Sequence, residues 1–465
     1  MTNLRNALAG MLTCCLLGLA PASGAQSAAP VLGESDGLFN VKDFGAKNDG
    51  VTDDTSAIQS AIDKASERGG IVVIPVGRWL CRGHLEIKPG VHLTGMNVSP
   101  MSWEPALGSI LLATEGRDDE QANPFIEMRT STSLTGITIY YPEQMVDNIR
   151  AYPWTIQIRG NSAQPSLVSF DATIADVTLI NSYNGIRTGP TENGRHRIIR
   201  VNGCVLRRGI LVDWTGDIGR IQDVQFHSHF WAAAAFAGNW SSVFSYMQNH
   251  LEAFIFGRTD WEYVSNTFVF PANVGYRFIE TANGACNGQF VGIGADATAT
   301  AILVEAIQAQ GLLITNGEFD SHMIGASTQI VIDKGSTGNV RFVNCGFWGP
   351  VRHNAVVRGD GFVSFSDCYF SNDEVTEDYS VDVEGGKVQI HDCTFGGVSN
   401  DSAPGHSVVG NRAAHRPPCI HLGPNVRSAI IIGNNGLGGV DVKNEIGHRA
   451  IIRANETAHA MVPGI

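Results

Sequence analysis

The stretch NGEFDSHM, Asn316 to Met323, sets two carboxylates two residues apart with a histidine two residues further on. Side chains two apart on an extended strand share a face, so Glu318, Asp320 and His322 are expected to point the same way, the acids about 6.6–6.8 Å apart along the backbone. At that separation one carboxyl group can donate a proton while the other serves as base or nucleophile. GRTDWEYV, Gly257 to Val264, repeats the arrangement: Asp260 and Glu262 flank Trp261, and an extended chain would show both acids on one face and the indole on the other. Glu318 is the candidate general acid, and Asp320, Asp260 or Glu262 the candidate base or nucleophile. FHSHF puts His227 and His229 on one strand face at a spacing that can chelate a divalent metal. No further ligands accompany them, so they are read as surface histidines along a substrate groove, and no metal or cofactor is assigned.

These residues must be positioned by a repeat. From about residue 170 one pattern returns: an apolar residue, any residue, Asp or Asn, a small or apolar residue, any residue, then a large apolar one. It reads IADVTL from Ile174, IQDVQF from Ile221, ITNGEF from Ile314, FVNCGF from Phe342, FSDCYF from Phe365, IHDCTF from Ile390 and IIGNNGL from Ile431, with looser copies VSNTFV from Val264 and ACNGQF from Ala285. The markers Asn316, Asn344, Asp367 and Asp392 are 28, 23 and 25 residues apart. A period of that size in strand-like sequence signals a solenoid with one coil per repeat. The Asp or Asn belongs at a bend, where its short side chain tolerates a left-handed backbone, and the apolar positions around it face inward. Cys345, Cys368 and Cys393, each just after a marker, are expected to form one buried column of thiols.

With the repeat as a ruler, Trp348 falls in register with Asp320 on the next coil, about 4.8 Å away. Gln289 falls beside Glu318 on the preceding coil if Asn287 is a marker. An exposed indole offers a flat apolar surface to the C–H face of a sugar ring, so Trp348, Gln289, His322, His227, His229 and Trp261 are the candidate substrate-binding residues. Four coils, about 19 Å, are expected between the His pair and Glu318.

The segment from Phe39 to Gly95 differs in kind. DDTSAIQSAIDKA reads as a helix capped by Asp53 or Asp54, with Ile58, Ile62 and Ala65 on one stripe, and GGIVVIP and GVHLTG return to strand. VKDFGAKNDGVTDDTSAIQSAID followed by GGIVVIPVGRW resembles the N-terminal motif of the pectate lyase superfamily. That resemblance implies an all-β, single-stranded, right-handed parallel β-helix with an N-terminal capping helix, and a polysaccharide bound along its outer groove. Polygalacturonases of that superfamily carry Asn-Thr-Asp, Asp-Asp, Gly-His-Gly and Arg-Ile-Lys signatures on successive coils. Here the Asp-Asp pairs are Asp53-Asp54 and Asp118-Asp119, both outside the repeats, so pectin hydrolysis by that machinery is not expected.

A basic start at Arg5, an apolar run from Ala7 to Ala20 and the small residues Ser23 and Ala25 predict a signal peptide over 1–25 and a secreted or periplasmic protein. A linker over 26–38, a cap with the first coils over 39–95, the β-helix over 96–455 and a tail over 456–465 complete the expected organisation. The net charge of −13 becomes −14 once Arg5 is removed, which disfavours nucleic acid as a partner. No later apolar run is long enough to span a membrane. Of nine cysteines, Cys14 and Cys15 leave with the signal, and the remaining seven cannot all pair within one chain. The reading is a carbohydrate-active enzyme that cleaves glycosidic bonds with paired carboxylates, acting on a polysaccharide or oligosaccharide. Its runner-up is a lyase or epimerase of a uronate glycan, with Arg207, Arg208, Arg352 and the His pair as available parts. The third reading is a β-helix that only binds glycan, and a homotrimer is compatible with all three.

Overall fold

The computed structural model describes residues 33–100, 106–160, 168–236, 238–321, 327–349, 351–371, 378–396, 418–436 and 439–457. Each coil contributes one strand to each of three parallel sheets. In one coil these are Leu312–Thr315, Glu318–Asp320 and Thr328–Ile332; in the next, Asn339–Val343, Gly346–Trp348 and His353–Val357. The strands stack in register, Ile314 on Phe342, Phe319 on Phe347 and Ile330 on Ala355, so identical positions in the repeat form continuous columns. Phe319, Phe347, Phe370 and Phe395 make one such inward column, their ring centroids 5.1–5.3 Å apart and their planes nearly parallel. Backbone hydrogen bonds between the paired strands set the coil spacing, and burial of these columns stabilises the stack.

The bend between the first and second sheets is where the repeat marker sits. Asp176, Asp223, Asn266, Asn316, Asn344, Asp367 and Asp392 all adopt φ between 52° and 55°. Side chains stack along this corner: Asn344 Nδ2 donates to Asn316 Oδ1 at 2.9 Å, and Asn266 Nδ2 donates to Asp223 Oδ1 at 3.2 Å. Two expected markers are misplaced. The bend of the 286–295 coil is at Gly292, not Asn287, and that of the 428–436 coil is at Gly433, not Asn434. Glycine reaches the left-handed region without a polar side chain and so hid both bends from the Asp/Asn pattern. Only Asn266 and Gly292 intervene between Asp223 and Asn316, so the expected four coils are three, about 14 Å.

Cys345, Cys368 and Cys393 follow their bends and are buried, as expected, and all seven described cysteines are buried. The helix Thr55–Ser66 buries Ile58, Ala61, Ile62 and Ala65. It packs on the first strands, which enter the sheets at Leu38–Asn40 and Gly70–Val73. Asp53 Oδ1 accepts from the Thr55 backbone N–H at 3.1 Å, whereas Asp54 turns back to accept from Lys47 and Asn48 and fastens the preceding loop. Among the described residues no helix is long and apolar enough to cross a membrane.

Candidate functional site

The acids singled out by spacing are not brought together as pairs. Glu318 is exposed, but Asp320 is only 3% exposed: its carboxylate lies against the backbone of Gly349, where an added Cβ would fall 2.0 Å from Asp320 Oδ1. Trp348 does pair with Asp320 and is exposed. Gln289 does not lie beside Glu318. With the bend at Gly292, Gln289 belongs to the first sheet opposite Leu313, and Gly294 is the neighbour of Glu318. His322 lies outside the described residues.

At the second cluster a register slip puts Asp260 and Trp261 opposite the single residue Asn287, between the pairs Thr259–Cys286 and Glu262–Gly288. This β-bulge, with Trp261 at φ 55°, reverses the expected facing. Trp261 points out at 61% exposure, and Glu262 is fully buried against His196. Asp260 accepts from Arg258 Nη2 at 2.7 Å, Gln308 Nε2 at 2.9 Å and Asn287 Nδ2 at 3.2 Å. Burial alone would raise its carboxyl, but these bonds and the Arg258 charge outweigh it and hold Asp260 below the usual carboxylate range.

His227 and His229 do not share a strand face, because the strand Gln225–His227 ends there and a short helix, His229–Ala232, begins. Their rings are still 4.3 Å apart. His227 Nδ1 accepts the His229 backbone N–H at 3.0 Å, which assigns the proton of neutral His227 to Nε2 and disfavours chelation. Burial, and then the neighbouring His229, push the His227 imidazole down to about 4.

The residues that do converge lie on the outer face of the third sheet. In register, Glu86, Glu127, Gln157 and Arg187 follow one another across adjacent coils. Arg129 and Arg159 stand two residues further along their strands and both pair with the buried Glu127; Arg129 also donates to Glu86 at 2.7 Å. Arg208 donates to Glu120 at 2.7 Å, and Arg277 bridges Glu252 and Glu305. Arg187, like Arg159, has a buried Nε with no hydrogen-bond partner among the described residues, but where Arg159 pairs with Glu127, Arg187 has no ion pair among them. Burial lowers its pKa, Asp213 opposes that shift, and Arg208 and Arg159 reinforce it. Asp213 is itself fixed, accepting from the Arg258 N–H at 3.1 Å, Thr281 Oγ1 at 2.8 Å and Asn283 Nδ2 at 3.0 Å. The result is a guanidinium crowded by like charges on a surface able to take an anion. Sequence reasoning found Arg207 and Arg208 but missed this row. Its signal was the spacing of Arg129, Arg159, Arg187 and Arg208 by 30, 28 and 21 residues, roughly one coil each.

Residues 38–107 match the family described as rhamnogalacturonase A/epimerase, pectate lyase-like. Alginate lyase 7 of Azotobacter vinelandii is 51% identical over 61 residues, and mannuronan C5-epimerase AlgE2 of the same organism is 49% identical over 65. These matches cover 13% and 12% of this chain and only 7% and 6% of those proteins. Among solved structures, the N-terminal fragment of bacteriophage phi29 gene product 12 superposes with a TM-score of 0.52 at 12% identity, over 90% of this chain and 73% of that one. The N-terminal motif of this chain is thus similar to that of pectate lyase-like proteins, and its stacked coils form a parallel β-helix.

Proposed function

We propose that this protein is a glycan-modifying enzyme acting on a uronate-containing polysaccharide, and that it breaks the C5–H bond of a uronate by elimination or epimerisation. The carrying observation is Arg187, a half-buried arginine whose buried Nε is unsatisfied, on the charged face of the third sheet. A buried donor left unpaired is costly, and a sugar carboxylate is a partner of the right charge and geometry. Neutralising that carboxylate makes the adjacent C5 proton acidic enough for a base to remove. Loss of the 4-O-linked chain then gives elimination, and return of a proton from the other face gives epimerisation.

The charge of Asp213 favours the protonated form of Arg187, and Tyr183 lies near the charges of Glu120, Arg207 and Arg208. Asp213→Asn and Tyr183→Phe test whether either side chain moves the C5 proton. The relatives that share the N-terminal motif support the substrate class, since mannuronan and alginate are uronate polymers. Hydrolysis by paired carboxylates loses support because neither expected pair is assembled. We place the reaction outside the cytoplasm on the strength of segment 1–25.

A panel of acidic and neutral polysaccharides tests the reading. Ultraviolet absorbance from unsaturated ends, or a changed uronate composition, is expected with acidic glycans only, and lost in Arg187→Gln. Turnover of a neutral glycan with no effect of Arg187→Gln would overturn it.

A further inference from the structure

Two tryptophans on successive coils share an unusual conformation. Trp214 and Trp261 have φ of 50° and 55°, are 41% and 61% exposed, and each follows an aspartate whose carboxylate is pinned. The coils are joined at Thr215 and Thr259, and the Asp260 N–H donates to Thr215 O at 3.2 Å. A bulky side chain in the left-handed region is strained, and such strain persists only where the surroundings over-determine it. Here they do. Trp214 O accepts from the Asn193 backbone and side chain at 3.0 and 3.2 Å, and the Trp261 N–H donates to Asn287 Oδ1 at 3.0 Å within the bulge. The strain is not repaid by packing, because both indoles stand in solvent.

We infer that Trp214 and Trp261 are a sugar-binding platform: two indoles that stack on the apolar faces of successive pyranose rings beside Arg187 and Asp213. Trp214 adjoins Asp213 in the chain, so a glycan whose carboxylate meets Arg187 passes over this corner. Polar side chains neighbour both corners: Arg258, Asp260, Asn287 and Gln308 beside the bulge at Trp261, and Asp217, three residues after Trp214 and paired with Arg195. A pyranose, apolar on its faces and hydroxylated at its edge, matches that pattern, whereas a second protein copy would meet uncompensated polar groups. The inference rests on the glycan reading above.

Glycine takes a left-handed φ without steric cost, so Trp214→Gly and Trp261→Gly test strain and platform together. Each variant is expected to keep or raise Tm. Each is also expected to bind a mannuronate oligosaccharide about two- to tenfold more weakly by titration calorimetry, raising KM with kcat unchanged. Wild-type affinity in both variants, with binding weakened in Arg187→Gln, would overturn the platform and spare the glycan reading; undiminished affinity in all three would overturn both. A Tm drop of several degrees, or a changed sedimentation profile, would show the indoles to be structural or part of an interface and would also overturn the platform.

Discussion

Nε2 of His196 lies 2.9 Å from Oε1 of Glu262, and both side chains are sealed from solvent. The second carboxylate oxygen accepts from Thr259 Oγ1 at 2.8 Å, and Gly219 leaves the room, since an added Cβ would come within 2.4 Å of both partners. Glu262, a catalytic candidate by spacing, is therefore part of the core. Removing one member of such a pair strands the other, so Glu262→Ala should lower stability by about 3–5 kcal/mol, and adding His196→Ala should cost less than the sum of the two. Urea unfolding of the single and double variants measures this; a Glu262→Ala protein as stable as wild type would contradict it.

The buried cysteines make a second prediction. Burial pushes the Cys81, Cys204 and Cys286 thiols up, so they stay protonated, and Cys345, Cys368 and Cys393 are closed in by the stacked coils. Native protein should react with a thiol reagent only at the rate of local unfolding, and rapidly once denatured. Rapid native modification of the Cys345, Cys368 and Cys393 column would break the register described for these coils.

The bends were legible because Asp and Asn mark left-handed corners by composition, and the inward columns because their apolar positions recur in phase. Gly292 and Gly433 make the same corner with no side chain to read, and one of these lapses moved Gln289 to a different sheet. The bulge at Trp261 is set by how Asn287 on the neighbouring coil meets the strand, which local spacing does not encode. The arginine row needed the repeat to be carried upstream of residue 170, where a bend such as Gly136 has no Asp or Asn, and past Arg200, where arginine takes the bend position instead.

His227 gives a dependence on pH. Its folded pKa of about 4 lies below the ordinary 6.5, so between those values the unfolded chain holds a proton that the folded one lacks. That contribution to stability is complete above about pH 6.5 and is lost as pH falls towards 4. His227→Asn keeps an acceptor for the His229 N–H and removes the titration, so the fall in Tm on acidification should be shallower than in wild type. An identical slope would contradict the assignment.

Glu318 now carries a negative prediction. It stands exposed beside Gly294 and Gly346 without a carboxylate partner on its strand face, since Asp320 is buried. Glu318→Gln should leave Tm unchanged and turnover of an acidic glycan within about twofold of wild type, not lowered by the 10² to 10⁴ expected of a general acid. Steady-state kinetics decide between them.

The central claim, chemistry at uronate C5 with Arg187 facing the carboxylate, is tested most directly by incubating polymannuronate with the enzyme in deuterium oxide and reading the C5 position by proton NMR. Wild type is expected to give C5 deuterium or unsaturated ends, and Arg187→Gln to lose about 10²- to 10³-fold of that rate while keeping its Tm. New reducing ends with neither C5 deuterium nor unsaturation, at a rate that Arg187→Gln leaves unchanged, would contradict it.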